Sequence, residues 1–279
     1  MIGAIIGDIV GSPYEQVLLN GVDSVDFQPL FSPNLSKFTD DTVLTIATAD
    51  AIMSGVPFHK KYKEWARKYP NKGYGSRFHE WFNNEEDVIN DSYSNGCMMR
   101  VSPIPMYCFQ KNIPMDYIFP GGKSLFNEVK ESIKYTHNSE EAEDGTIAVA
   151  SAIYASLKGF KKDSIKEEIS SFYGYPLSDS LEQVRNEWPK DTIRCKVTCP
   201  QALISFFEST DFDSAIRNAV YSKGDVDTIA AIAGSIAESY YGVDSIPKYM
   251  IAEAKDRLPQ EMINVVNKFY NTIEVNFKL

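Results

Sequence analysis

Two short acidic stretches, TDDT at residues 39–42 and GDVDT at residues 224–228, set carboxylates beside threonine hydroxyls at the head of an apolar segment. Behind the first, Val43, Leu44, Ile46, Ala47, Ala51 and Ile52 recur at helical spacing, which places Thr39, Asp40 and Asp41 where a helix begins. One use for such residues is capping, since an Asp or Thr oxygen satisfies an orphan backbone N–H there. A cap needs one side chain, however, and this stretch offers four. The second use is metal binding. Hard cations such as Mg²⁺ or Mn²⁺ take carboxylate, hydroxyl and water oxygens. If Glu15, Asp40, Asp41, Asp225 and Asp227 converge with Thr39 and Thr228, they could hold two such ions. Without cations, so many carboxylates in one pocket could not all stay ionised. Capping, solvated acids and a metal centre all remain open at this point.

Other chemistries fit less well. An EF-hand loop counted from Asp225 puts Ala230 at the sixth place and Ile236 at the twelfth, where Gly and Glu are required. Counting from Asp40 fails in the same way, with Ala51 at the twelfth place. A third acidic stretch, GDIVGSPYE, has Asp8 and Glu15 bracketing Gly11 and Pro13. It matches neither a Walker A nor a dinucleotide fingerprint and reads as a tightly packed first helix ended by that glycine and proline. Of the four cysteines, Cys97, Cys108, Cys195 and Cys199, only the last two are close and no histidine lies near them. Free thiols in a reducing cytosol are expected rather than a zinc site.

These groups must be positioned by a scaffold of 279 residues, enough for a substantial core. With 43% hydrophobic and 24% charged residues the composition is that of a soluble globular protein. A net charge of -10 gives no basic footprint for a polyanion, so nucleic acid is not an expected partner. The opening MIGAIIGDIVGS lacks a basic leader and is interrupted by Asp8, so it is not expected to be a signal peptide. No apolar run approaches the length of a membrane span, and a cytoplasmic protein is expected. Helical periodicity marks Val43 to Met53, Glu141 to Leu157, Gln201 to Glu208, Asp213 to Val220, Thr228 to Tyr241 and Glu261 to Ile273. Small residues dominate several of these, which suits closely packed interior helices. The longest expected loops are Gly21 to Phe38, Pro70 to Ser76, Phe82 to Gly96 and Asp179 to Pro200. Strand signals are scarce and no repeat or linker divides the chain. The expected fold is all-α, one compact multi-helix domain over residues 1–279.

Six stretches taken in order, GAIIGDIVGSPYE, FTDDT, NKGYGSRFHEWF, SYSNGCMMRVSPIP, THNSEEAEDGTIAVASAIY and FFESTDFDSAIRNAVYSKGDVDTIAAIAGSIAESYYG, span nearly the whole chain. In them the chain resembles the ADP-ribosylglycohydrolase family, which includes the dinitrogen-reductase-activating glycohydrolases and the ADP-ribosyl-acceptor hydrolases. That resemblance implies an all-α protein with a dinuclear metal cleft, usually holding Mg²⁺ and sometimes Mn²⁺. It assigns Thr39, Asp40, Asp41, Asp225, Asp227 and Thr228 to the metals, and Glu15 to a metal contact that helps activate water, with Glu15 and Asp41 as catalytic residues. It assigns Gly73, Tyr74 and Gly75, the run Ser92, Tyr93, Ser94, Asn95 and Gly96, and His137 to ADP-ribose binding. Lys223 departs from the family pattern, standing where glycine is common.

The reaction so implied is hydrolysis at the anomeric carbon of ADP-ribose joined to an acceptor, on a protein or a small molecule, releasing ADP-ribose. Nucleic acid would enter only as an ADP-ribosylated substrate. The leaving group would be held by rim loops around Gln16 to Phe38 and Phe82 to Asp91. The rival readings are a two-metal phosphohydrolase, and an inactive ADP-ribose-binding or crystallin-like relative.

Overall fold

Three glycines four residues apart, Gly3, Gly7 and Gly11, lie in the first helix, and their spacing puts them on one face. That face decides the architecture. A computed structural model describes residues 1–15, 30–115, 123–189 and 192–279. In chain order the helices are α1 (Ile2–Gly11), α2 (Asp40–Ser54), α3 (Phe58–Lys68), α4 (Ser76–Asn83), α5 (Pro103–Gln110), α6 (Leu125–Ile133) and α7 (Glu140–Leu157). They continue as α8 (Lys162–Tyr173), α9 (Leu181–Glu187), α10 (Cys195–Phe207), α11 (Phe212–Tyr221), α12 (Val226–Tyr241), α13 (Lys248–Arg257) and α14 (Gln260–Thr272). Among the described residues there is no strand, only the isolated bridges Asp91–His137 and Ser94–Arg194. The all-α expectation holds.

Helix α12 is the axis of the molecule, buried from Val226 to Ser239. Its small side chains let α1 run against it at backbone distance. A Cβ added at Gly3 would lie 2.2 Å from the Gly234 carbonyl oxygen, one at Gly7 2.1 Å from that of Ala230, and one at Gly11 2.3 Å from the Asp227 Cα. No other residue fits these places. Helices α7, α10 and α11 pack around α12, while α2 packs on α1, α3 and α14. The carboxylate of Glu238 fixes the far end of the α1–α12 pair, accepting the Gly3 N–H at 2.7 Å and the Tyr270 hydroxyl.

The sequence reading erred over the expected loop from Asp179 to Pro200. Residues Leu181–Glu187 form α9, closed by a capping box in which the Ser180 hydroxyl accepts the Gln183 N–H and Gln183 reaches back to Ser180 N–H. Cys195 to Pro200 already belong to α10, with Pro200 inside the helix. Pro200 does not bound the helix. In the second turn it removes a single N–H, and the burial of Thr198, Cys199 and Gln201 against the core outweighs that loss. Within the expected loop Phe82 to Gly96, α4 extends to Asn83 and a short 3₁₀ turn occupies Asn95–Cys97. Residues 16–29 of the expected segments Gly21 to Phe38 and Gln16 to Phe38 lie outside the described residues. No described helix is long and apolar enough to cross a membrane.

Candidate active site

Both acidic stretches open helices, and the α1–α12 crossing brings those helix starts together. At the first, the capping is shared between two elements. Thr39 is the N-cap of α2 and accepts the Asp41 N–H at 3.3 Å. Two more amides are satisfied from α1, where the Asp8 carboxylate accepts the N–H groups of Thr39 at 2.9 Å and Thr42 at 3.1 Å, and the Asp40 N–H donates to the Lys72 carbonyl at 2.8 Å. Asp40 and Asp41 are therefore not needed as caps. At the second stretch the chain enters α12 through Lys223 and Gly224, both left-handed at φ 66° and 94°. That backbone explains why glycine suits position 223, where a lysine costs of the order of 1 kcal/mol. It leaves Asp225 before the helix with no capping bond, and Thr228 N–H on Asp227 Oδ1 at 2.9 Å.

Two overlapping triads result. Carboxylate oxygens of Asp8, Asp41 and Asp227 lie within 4.8 Å of one another, as do those of Glu15, Asp225 and Asp227. Asp227 belongs to both. Burial is the main cause that raises the carboxyl pKa of Asp40, Asp41 and Asp227 well above the usual range, and neighbouring carboxylates push the same way. Asp225 is raised by burial too, against the pull of the Asn95 amide, which donates to it at 2.6 Å. Asp41 carries the clearest unmet demand. Its Oδ1 is buried without a hydrogen-bond partner, and among the described residues its Oδ2 meets only the Thr39 and Thr228 hydroxyls at 3.4 Å. A buried carboxylate oxygen in that state costs free energy unless a cation or proton answers it. The donors are all hard oxygens, so the set fits Mg²⁺ or Mn²⁺.

All of these acids except Asp8 line one side of a cleft of about 390 Å³. The other side is the 92–96 segment, held between two neighbours. Asn138 N–H bonds the Asn90 carbonyl at 2.9 Å, Asn95 N–H bonds the Ile193 carbonyl at 2.8 Å, and Cys195 N–H bonds the Tyr93 carbonyl at 3.1 Å. Glu15, Thr39, Asp40, Asp41, Asp225, Asp227 and Thr228 all line the cleft, with Ser92, Tyr93, Ser94, Asn95, Gly96, Gly73, Gly75 and His137. Tyr74 does not. Its ring turns into an aromatic cluster, stacked on Phe78 at 5.5 Å and edge-on to Phe82 at 5.2 Å. Packing of these rings, invisible in the local GYG pattern, explains its absence from the lining. Tyr93 is half exposed, with the Arg194 guanidinium 4.7 Å from its ring centre. His137 is buried, with Nε2 3.2 Å from the Ser94 hydroxyl and Nδ1 without a partner. Burial and then the nearby Arg100 cation hold its pKa well below the usual value, so the ring is neutral.

Two residues escaped the sequence reading. Asp8 was read only as part of a packed helix, although a lone carboxylate in a wholly apolar helix signals a buried acid with partners. Arg100 is buried in the cleft wall, with Nη2 donating to Thr136 and the guanidinium 4.1 Å from the Tyr62 ring centre. The four cysteines are free thiols, as expected. The Cys97 and Cys195 sulfurs lie 3.6 Å apart, and both meet the Ser94 carbonyl.

A family model described as ADP-ribosylglycohydrolase matches residues 1–277, so the chain belongs to that family of glycosyl hydrolases. It is similar to an uncharacterized protein of Archaeoglobus fulgidus, 26% identical over 92% of this chain and 90% of that one. It is also similar to the ADP-ribosylhydrolase ARH3 of Mus musculus, 24% identical over 88% of this chain and 84% of that protein. The ADP-ribosylarginine hydrolase Tri1 of Pseudomonas putida is 23% identical over 88% and 71%. A solved structure described as an ADP-ribosylglycohydrolase-related protein complex matches the fold with a TM-score of 0.72 at 22% identity, covering 98% of this chain and 95% of that chain.

Proposed function

We propose that this chain hydrolyses the bond between the anomeric carbon of ADP-ribose and an acceptor, with two divalent cations, Mg²⁺ first and Mn²⁺ second, in the acidic cleft. One observation carries the reading: Glu15, Asp41, Asp225 and Asp227 converge on one cleft whose opposite wall is the Ser92–Gly96 segment with His137. The ions would be held by Thr39, Asp40, Asp41, Asp225, Asp227 and Thr228, acids and hydroxyls that all line the cleft, with Asp227 shared between the two triads. When bound, such ions lower the pKa of nearby water and neutralise the crowded carboxylates.

The remaining work falls to this chain's own groups. The bond breaks through a transition state with oxocarbenium character, so a water must reach the anomeric carbon as positive charge develops there. Glu15, half-buried at the cleft wall, accepts the proton of that water. Asn95 keeps Asp225 in place through its 2.6 Å amide bond. Neutral His137, with Ser94 on one nitrogen and the other free to bond, orients a ribose hydroxyl. Gly73, left-handed at φ 101°, lets the chain pass where a side chain would press on Asp40 at 3.1 Å. Tyr93 offers a half-exposed ring to the adenine or ribose.

The test is release of free ADP-ribose from arginine-, serine- and nucleobase-linked substrates, run with Mg²⁺, Mn²⁺ or EDTA. Release that needs metal and is lost in Asp41→Ala and Asp227→Ala is the expected result, and it identifies the acceptor. Release of AMP or phosphate would point instead to a phosphohydrolase. ADP-ribose bound but never released from any substrate would refute the reading.

A further inference from the structure

Asp8 sits in the first acidic triad, yet both of its oxygens are engaged by hydrogen bonds. Its Oδ1 accepts the Thr39 hydroxyl at 2.7 Å. Its Oδ2 accepts the Thr39 N–H at 2.9 Å, the Thr42 N–H at 3.1 Å and the Thr42 hydroxyl. Each carboxylate oxygen offers about two lone-pair sites, so three donors saturate Oδ2 while Oδ1 is engaged by Thr39, and Asp8, unlike Asp41, does not line the cleft. Asp41, by contrast, has one oxygen without any partner. Proximity alone thus groups Asp8 with the ligands, while its hydrogen bonds set it apart.

The Thr39 hydroxyl has one proton and two possible acceptors. Asp8 Oδ1 at 2.7 Å wins over Asp41 Oδ2 at 3.4 Å, because the shorter bond to a buried anion is much the stronger. The lone pairs of Thr39 Oγ1 then point away from Asp8. One meets the Asp41 N–H at 3.3 Å, and the other is left for the cleft that Thr39 lines. We propose that Asp8 is a positioning residue and not a ligand: it draws the Thr39 hydroxyl proton out of the cleft, so that the oxygen presents a lone pair to a divalent cation. The same carboxylate clamps the first turn of α2, which carries Asp40 and Asp41. Because Gly7 and Gly11 hold α1 at backbone distance from α12, Asp8 cannot retreat from this duty. The inference rests on the two-cation reading above.

Titration with Mn²⁺, with free ion counted by electron paramagnetic resonance, tests both without turnover. Asp8→Asn keeps the shape but puts an NH₂ among donors. It is expected to bind the same number of ions about 10–100-fold more weakly, as for other groups that orient a ligand. Thr39→Val is expected to weaken binding too, and the double variant to be no weaker than the worse single, since both changes remove one device. Unchanged affinity in Asp8→Asn, a lost ion in that variant, or losses that multiply in the double variant would each overturn the inference. If Asp8→Asn does not fold, Thr39→Ser decides. It keeps the bond to Asp8 and should bind within roughly twofold of wild type, whereas a loss equal to that of Thr39→Val counts against the idea. Wild-type protein that binds no Mn²⁺ would refute the cation reading itself, and this inference with it.

Discussion

Adding one methyl group at Gly11 should disable the site without changing any polar side chain. A Cβ there would lie 2.3 Å from Asp227 Cα, 2.5 Å from Asp227 N and 2.7 Å from the Val226 carbonyl oxygen. All three are backbone atoms, so no side chain can swing aside. Ordinary contact begins near 3.4 Å, and the helices must part locally by about 1.1 Å (3.4 − 2.3). Overpacking of this kind costs roughly 1–3 kcal/mol, or a fall in midpoint of roughly 2–12 °C for a chain of this size. The functional loss should be larger, because Asp227 belongs to both acidic triads and moves with the backbone. A misplacement of about 1 Å in a catalytic array can cost about 100-fold in rate. Gly3→Ala is the control. Its Cβ meets the Gly234 carbonyl oxygen at 2.2 Å, an equal clash two helical turns from Gly11. It should melt lower to a similar degree and keep its rate within roughly threefold. Initial rates of ADP-ribose release, taken well below each midpoint, separate the two. If Gly11→Ala keeps more than half its rate, or if Gly3→Ala is equally inactive, the link from this crossing to the site is wrong.

Protons and cations should compete for the same carboxylates. Asp40, Asp41 and Asp227 have pKa values raised in the fold, chiefly by burial. A raised carboxyl pKa favours folding below the ordinary value near 4, and that contribution is lost as pH climbs through the raised values. EDTA-treated protein should therefore melt lower at about pH 7.5 than at about 5.5, and less so in Asp41→Asn. Mg²⁺ at 100 times its Kd should restore about 2.7 kcal/mol at the higher pH, whereas a melting curve indifferent to Mg²⁺ there would contradict the cation reading. Elsewhere, Lys162 closes the end of α10, donating to the Phe206 carbonyl at 2.7 Å, the Ser209 carbonyl at 2.6 Å and the Tyr241 hydroxyl at 2.8 Å. Burial lowers its pKa to about 8. Lys162→Met should cost roughly 2–3 kcal/mol in denaturant melts and leave kcat/KM unchanged, since none of its partners lines the cleft.

The chain announces much of this in its sequence. Helical periodicity and small residues at α2, α7 and α12 marked an all-α core, because burial of one face imposes a pattern that local spacing can carry. TDDT and GDVDT named the acids, since clustered carboxylates beside hydroxyls are rare without a use. What spacing could not carry was convergence. Residues 41 and 227 are 186 positions apart, and the glycine-lined contact of α1 with α12, with Asp8 holding the start of α2, brings their helix starts together. The division of labour among the acids was equally out of reach. Asp8 lies among the clustered acids yet is held by four donors, and the Tyr74 ring packs against Phe78 instead of lining the cleft. Sequence fixes which groups are available, because chemistry belongs to residue types. Tertiary structure decides which lone pairs are already spent and which still face the cleft, because hydrogen bonds between distant helices are settled only when the helices meet.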